Sequence, residues 1–257
     1  MRQSVTDWAM LRTGIDPSRY YAFLAETGYA AENPQPENRP LARAAGLEII
    51  NIAAPGMDWG LNLESEHERI LPLIRKTIAA ATDEGIPQVI VFSGNRRGVS
   101  DDAGADACVR GLTAVADQAD QANVTILFEL LNSFDHVDYH ASSSRFAFDV
   151  VRRVGSPSVR VLYDIYHATR MGEDVDRDLT ENIKLIGHIH VGGVPGRGIP
   201  GRMQEIDYER HVRTALQNGY DGYWGQEFLP GPDVLRELSE AHALFESYFE
   251  LARAPES

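Results

Sequence analysis

The sequence is poor in several things that would each have pointed somewhere specific. Among its 257 residues there is one cysteine, Cys108. That excludes an internal disulfide and a thiolate metal site, and its place in an amphipathic stretch marks it as a packing residue. No stretch of about 18 uncharged apolar residues occurs, so no membrane-spanning helix is expected, and the N-terminus MRQSVTDWAMLRTG lacks the apolar run of a signal peptide. Both absences point to a cytoplasmic protein. Basic residues are outnumbered, 24 Lys and Arg against 38 Asp and Glu, for a net charge of −14. A nucleic-acid backbone needs clustered positive charge, so a small molecule is the expected partner. No Pro- or Ser-rich linker and no fixed-period repeat divides the chain, so one domain spanning 1–257 is expected.

What is present is alternation. Short apolar, β-branched runs at 3–7, 30–33, 48–53, 88–93, 124–131, 160–165, 184–191 and 222–228 are separated by segments with helical spacing. The clearest of these are 65–84, 105–122, 142–154, 208–218 and 233–252. Asp16-Pro17, Asp207 and Pro232-Asp233 read as helix starts, and Gly28, Gly46, Gly85 and Gly219 as helix ends. Eight such units at this length predict an α/β fold, a (β/α)8 TIM barrel. The Gly- and Pro-rich stretch 192–206, GGVPGRGIPGRMQEI, follows a strand and reads as a functional loop.

In such barrels chemistry collects at the C-terminal ends of strands. Four polar groups interrupt apolar runs there: Glu129 in ILFELLN, Asp164 in VLYDIYH, His190 in GHIHVGG and Glu227 in YWGQEFLP. His188 shares the face of His190 by alternation, but His190 lies nearer the strand end. Buried carboxylates are costly unless paired or bound to a cation, so four converging groups ask for one divalent metal ion. Three carboxylates and one imidazole suit Mn2+, Mg2+ or Co2+, with Zn2+ or Fe2+ also admissible. His167, three residues after Asp164, is placed to bind substrate, and Arg197 and Glu205 to close over it. Trp8, Asn132, Asp135 and Trp224 are second-rank candidates near the mouth.

Taken in order, FELLN, YDIYH, IGHIHVGGVPGR, QEIDY and GYWGQEFLP resemble the hydroxypyruvate isomerase family within the xylose isomerase-like TIM barrel superfamily. The stretch GYAAE, ending at Glu32, resembles its second strand more weakly. The resemblance implies a divalent metal on Glu129, Asp164, His190 and Glu227, with Glu129 and Glu227 doubling as the acid and base pair. Typical bacterial members carry Gln followed by IADVPGR at the third ligand position, where this chain has His190 followed by VGGVPGR, and Met203-Gln204 stands where they carry a Thr-Gly or Gly-Glu pattern. The His-x-His form is similar to ketose 3-epimerases, in which His167 and an arginine like Arg197 would contact the sugar. The implied chemistry is isomerisation of a hydroxy-carbonyl compound, a sugar or a keto acid, through an enediolate, with 3-epimerisation as the alternative. Metal-dependent phosphodiester cleavage and a non-catalytic sugar-binding barrel rank below these, and a homo-oligomer is a lean from the superfamily.

Overall fold

A computed structural model describes residues 2–201 and 203–253. Eight parallel strands, β1 (Arg2–Thr6), β2 (Ala30–Glu32), β3 (Ile49–Ala53), β4 (Gln88–Phe92), β5 (Thr125–Glu129), β6 (Val159–Asp164), β7 (Ile186–Val191) and β8 (Tyr223–Gln226), follow one another in chain order as a closed barrel. Between and after them run α1 (Pro17–Thr27), α2 (Arg39–Ala44), α3 (His67–Glu84), α4 (Asp101–Gln121), α5 (Ser144–Val154), α6 (Val175–Asn182), α7 (Tyr208–Gln217) and α8 (Val234–Arg253). The fold is the (β/α)8 barrel expected from the alternation.

The helix punctuation works as the residue types predict. Asp16 and Asp207 accept from the backbone N–H of Arg19 and Arg210, and Gly28, Gly85 and Gly219 end helices in the left-handed region. Two helices carry too little pattern to be expected. In α2, Ala42 alone is buried, and α6 (VDRDLTEN) buries only Val175 and Leu179.

The chain divides into two compact units. The first comprises Met1–Ile50, Asp174–Ile183 and Ile189–Ser257. Its strand register sets His190 opposite Gly225, Gly225 opposite Ser4, and Ser4 opposite Ala30. Trp224, one residue out of that row, is fully buried with ring centroids 6.1 and 6.0 Å from Phe245 and Phe249 of α8. The expectation that Trp224 lies near the mouth is therefore corrected. It packs the outer face of β8 against the last helix, as alternation from Gly225 requires.

The second unit comprises Asn51–Glu173 and Lys184–His188. Tyr163 of β6 stacks on Phe148 of α5 at 5.8 Å, so Leu162 and Asp164 face the other way. Glu129 stands opposite Leu162, which places Glu129 and Asp164 on one face, two residues apart in register. Cys108 of α4 is buried and burial pushes its thiol up, so the packing role holds. Among the described residues no helix is long and apolar enough to cross a membrane.

Candidate functional site

In the first unit, Glu227 follows directly on β8, its backbone N–H donating to Val191 O at 2.9 Å. Its side chain is buried and gathers three donors, with a fourth on its backbone oxygen. Trp8 Nε1 donates to Oε1 at 2.7 Å, His190 Nδ1 lies 3.0 Å from Oε2, Arg197 Nη2 pairs with the same oxygen, and Arg197 Nε donates to the backbone oxygen at 3.2 Å. Burial alone would raise the pKa of Glu227, but the charges of Arg197 and His190, with the hydrogen bonds from His190 and Trp8, hold it well below the usual carboxylate range.

His190 is bracketed. Its Nε2 lies 2.8 Å from Glu32 Oε2 while Nδ1 faces Glu227. Burial alone would pull the imidazole down, yet Glu227 and Glu32 reverse that and hold it well above its ordinary 6.5. Glu32 and Glu227 thus flank the buried imidazole of His190 from its two edges.

Arg197 reaches Glu227 from the loop between β7 and α7. Its backbone is in the left-handed region, φ 54°, and its carbonyl accepts from Leu229 N at 2.6 Å. The loop is pinned at its start by Gly193 N donating to Gly198 O at 2.6 Å and by Tyr208 OH donating to Gly192 O at 2.7 Å. Glu205 N donates to Val194 O at 2.8 Å, but the Glu205 carboxylate is exposed and joins none of these contacts. The structure therefore brings Arg197 to the strand end and leaves Glu205 on the surface.

In the second unit, Glu129 and Asp164 are both buried at their strand ends. Asp164 caps the short helix Ile165–Arg170, accepting from His167 N at 3.1 Å, and His167 Nε2 lies 3.5 Å from Asp164 Oδ2. Around His167, Asn132 Nδ2 lies 2.6 Å from Nδ1 and donates to Asp135 at 2.9 Å, and Tyr166 OH donates to the same aspartate at 2.7 Å. The second-rank residues Asn132 and Asp135 are thus the support of His167, and Trp8 is a direct partner of Glu227.

Three residues of this neighbourhood escaped the sequence: Glu32, Ser4, whose hydroxyl donates to Glu32 Oε1, and Asp7, which accepts from Tyr21 OH. All three are buried. The signal that found the other carboxylates, an acid at the end of an apolar strand, was available at Glu32 but is weak in a strand of three residues.

Comparison with known proteins gives a consistent picture. The family model described as xylose isomerase-like TIM barrel matches residues 22–244. Hydroxypyruvate isomerase of Escherichia coli K12 is 30% identical over 122 residues, a match spanning about half of each protein, 48% of this chain and 47% of that one. A putative hydroxypyruvate isomerase of Streptomyces coelicolor is 31% identical over 195 residues, covering 73% and 70%. Among solved structures, one described as AP endonuclease, family 2, from Brucella melitensis superposes with a TM-score of 0.85 at 21% identity, covering 96% of this chain and 99% of that one. At that identity the likeness speaks for the fold alone.

Proposed function

The chain belongs to the xylose isomerase-like TIM barrel family, and from that premise we propose that it is a metal-dependent isomerase of a small hydroxy-carbonyl compound, a sugar or keto acid of the hydroxypyruvate class. The observation that carries the proposal is Glu227, a buried carboxylate kept ionised at a strand end by Arg197 and His190. Buried carboxylates of this kind are costly unless a cation neutralises them, and a divalent ion would do for Glu227 what Arg197 and His190 now do.

Glu129, Asp164, His190 and Glu227 would hold that ion. Each is buried, each offers one ligand atom, and they close four strands that are consecutive in the barrel order. The donor set of three carboxylates and one imidazole fits Mn2+, Mg2+ or Co2+, and admits Zn2+ or Fe2+. A divalent ion there would polarise a substrate carbonyl and its neighbouring hydroxyl, acidifying the C–H between them. Glu129 and Glu227, on different strands, serve as the acid and base that remove and return the proton, work worth roughly 10² to 10⁴ in rate. His167 hydrogen-bonds a substrate oxygen, and Arg197 screens the substrate from water. The same reading makes the partner a small molecule rather than a nucleic acid or membrane, and the setting cytoplasmic, in a homo-oligomer.

The test is the divalent metal content of purified protein, wild type beside Glu227→Gln, before and after chelation and reloading, followed by turnover on three- to six-carbon ketoses and keto acids. About one ion per chain in wild type, lost in the variant, with metal-dependent turnover, is the expected result. A wild type that takes up no divalent ion after reloading ends the proposal. His190, His167 and Arg197 together favour 3-epimerisation as the second reading, and solvent-proton exchange at the third carbon without aldehyde formation distinguishes it.

A further inference from the structure

We propose that Glu32 is the positioning residue of this site, fixing a proton on Nε2 of His190 and so leaving Nδ1 as the nitrogen offered to the cation. What Nδ1 then binds rests on the metal reading above. Which nitrogen it is rests on geometry alone.

His190, Gly225, Ser4 and Ala30 stand in one register row across β7, β8, β1 and β2. Side chains at matched positions of neighbouring strands share a face, and Glu32, two residues beyond Ala30, faces the same way. Its carboxylate spans the row. Oε1 accepts from the Ser4 hydroxyl and Oε2 meets His190 Nε2 at 2.8 Å. Between Ser4 and His190 the row carries Gly225, which puts no side chain in the way.

An ionised carboxylate accepts hydrogen bonds and donates none, so the nitrogen facing Glu32 must carry the hydrogen. Glu32 and His190 are both buried, and Ser4 occupies the second oxygen of Glu32. Nδ1, on the other edge of the ring, points to Glu227. Two carboxylates therefore flank one imidazole with different tasks. Glu32 is tied down from behind by Ser4 and holds the ring, whereas Glu227 lies at the strand end with Arg197 and Trp8. A cation taking Nδ1 displaces only the Nδ1 proton, and Glu32 keeps the other. A carboxylate behind a ligating imidazole sets its tautomer and orientation, and its removal typically weakens metal binding 10- to 100-fold.

The experiment uses the full chain labelled with 15N-histidine, metal-free and loaded with diamagnetic Zn2+, with His190→Gln identifying the signals of His190. Calorimetric titration with Zn2+ and Mn2+ runs in parallel. Wild type is expected to show a slowly exchanging Nε2–H in both states. In Glu32→Ala that signal is lost and ion affinity falls about 10- to 100-fold. Glu32→Gln, whose amide oxygen can accept the same hydrogen bond, keeps the signal and most of the affinity. Should Glu32→Ala not fold, Glu32→Asp, with its carboxylate set back by one methylene, takes its place with the same expected loss. An Nε2–H that persists without the Glu32 acceptor, or a wild-type ring protonated on Nδ1 only, overturns the proposal. If wild type binds neither ion, the metal reading fails and the Nε2–H signal alone decides the role of Glu32.

Discussion

The backbone N–H of Asn132 donates to Nδ1 of His167 at 3.1 Å. A peptide N–H has no other role to play, so Nδ1 is an acceptor and the ring of neutral His167 carries its hydrogen on Nε2. His167 is thereby a donor through Nε2, its ring oriented from the Nδ1 side by the main chain of Asn132. Its replacement should discriminate between isosteres. His167→Gln places an amide N–H near the position of Nε2 and is expected to retain more kcat/KM than His167→Asn, which mimics the wrong nitrogen. The gap expected for one hydrogen bond is about 10-fold. Equal activities of the two variants would count against His167 as a donor to substrate.

Asp7 supplies a pH dependence with a definite sign. Burial lifts its carboxyl from the ordinary 3.8 to about 7, with the Glu32 charge adding to the rise and hydrogen bonds from Tyr21 and Tyr20 opposing it. The unfolded chain ionises near pH 4 while the folded one does not. The contribution of Asp7 to stability is therefore complete below pH 4 and is lost as the pH climbs to about 7. The full span corresponds to on the order of 4 kcal/mol. Relative to wild type, Asp7→Asn should gain stability between pH 5 and pH 8 in denaturant titrations. A difference between the two proteins that stays constant over that range sinks the assignment.

Gly104 in α4 is a contact glycine. A Cβ there would stand 1.9 Å from Cε1 of His140, whose ring stacks on Phe146 and whose Nδ1 lies 3.0 Å from Asn62 Nδ2. The imidazole cannot yield without breaking those contacts, so Gly104→Ala should destabilise by about 1–3 kcal/mol, against its gain in helix propensity. Thermal unfolding that matches or exceeds wild type would show the ring to be free to move.

Trp224 separates packing from chemistry. Its indole is buried against Phe245 and Phe249, so Trp224→Ala should cost about 3–5 kcal/mol. Metal stoichiometry and KM of the remaining folded protein should be unchanged. A selective rise in KM at full stability would return Trp224 to the mouth.

How much of this was legible in the sequence follows from the strength of each physical signal. The strands with continuous apolar runs, such as QVIVF and TILFE, stand where the sequence places them, because burial on both faces leaves no other composition. The same contrast exposes Glu129, Asp164, His190 and Glu227 as exceptions within apolar surroundings. Brevity hid α6, whose eight residues offer only Val175 and Leu179 to the core, and a three-residue strand hid Glu32. Trp224 was misplaced although alternation carried the answer, since Glu227 and Gly225 share a parity that Trp224 does not. The pairing of Arg197 with Glu227 joins a loop to a strand end 30 residues on, and no local pattern announces a contact of that range.

The hold of Arg197 on Glu227 also makes the loop and the strand end thermodynamic partners. In the proposed site a metal ion would compete with the guanidinium to neutralise one carboxylate, and the guanidinium is carried by a residue in the left-handed region, which a non-glycine residue occupies at a cost of roughly 1–2 kcal/mol. Whatever relieves Glu227 of its need for Arg197 weakens the tether that keeps this backbone conformation populated. By reciprocity, anything that fixes the loop changes cation affinity by the same factor that the cation changes the loop. With a cation at Glu227 the segment around Arg197 would be a gauge of occupancy, and its exchange or proteolysis rate would read out, at a distance, the state of charge beneath it.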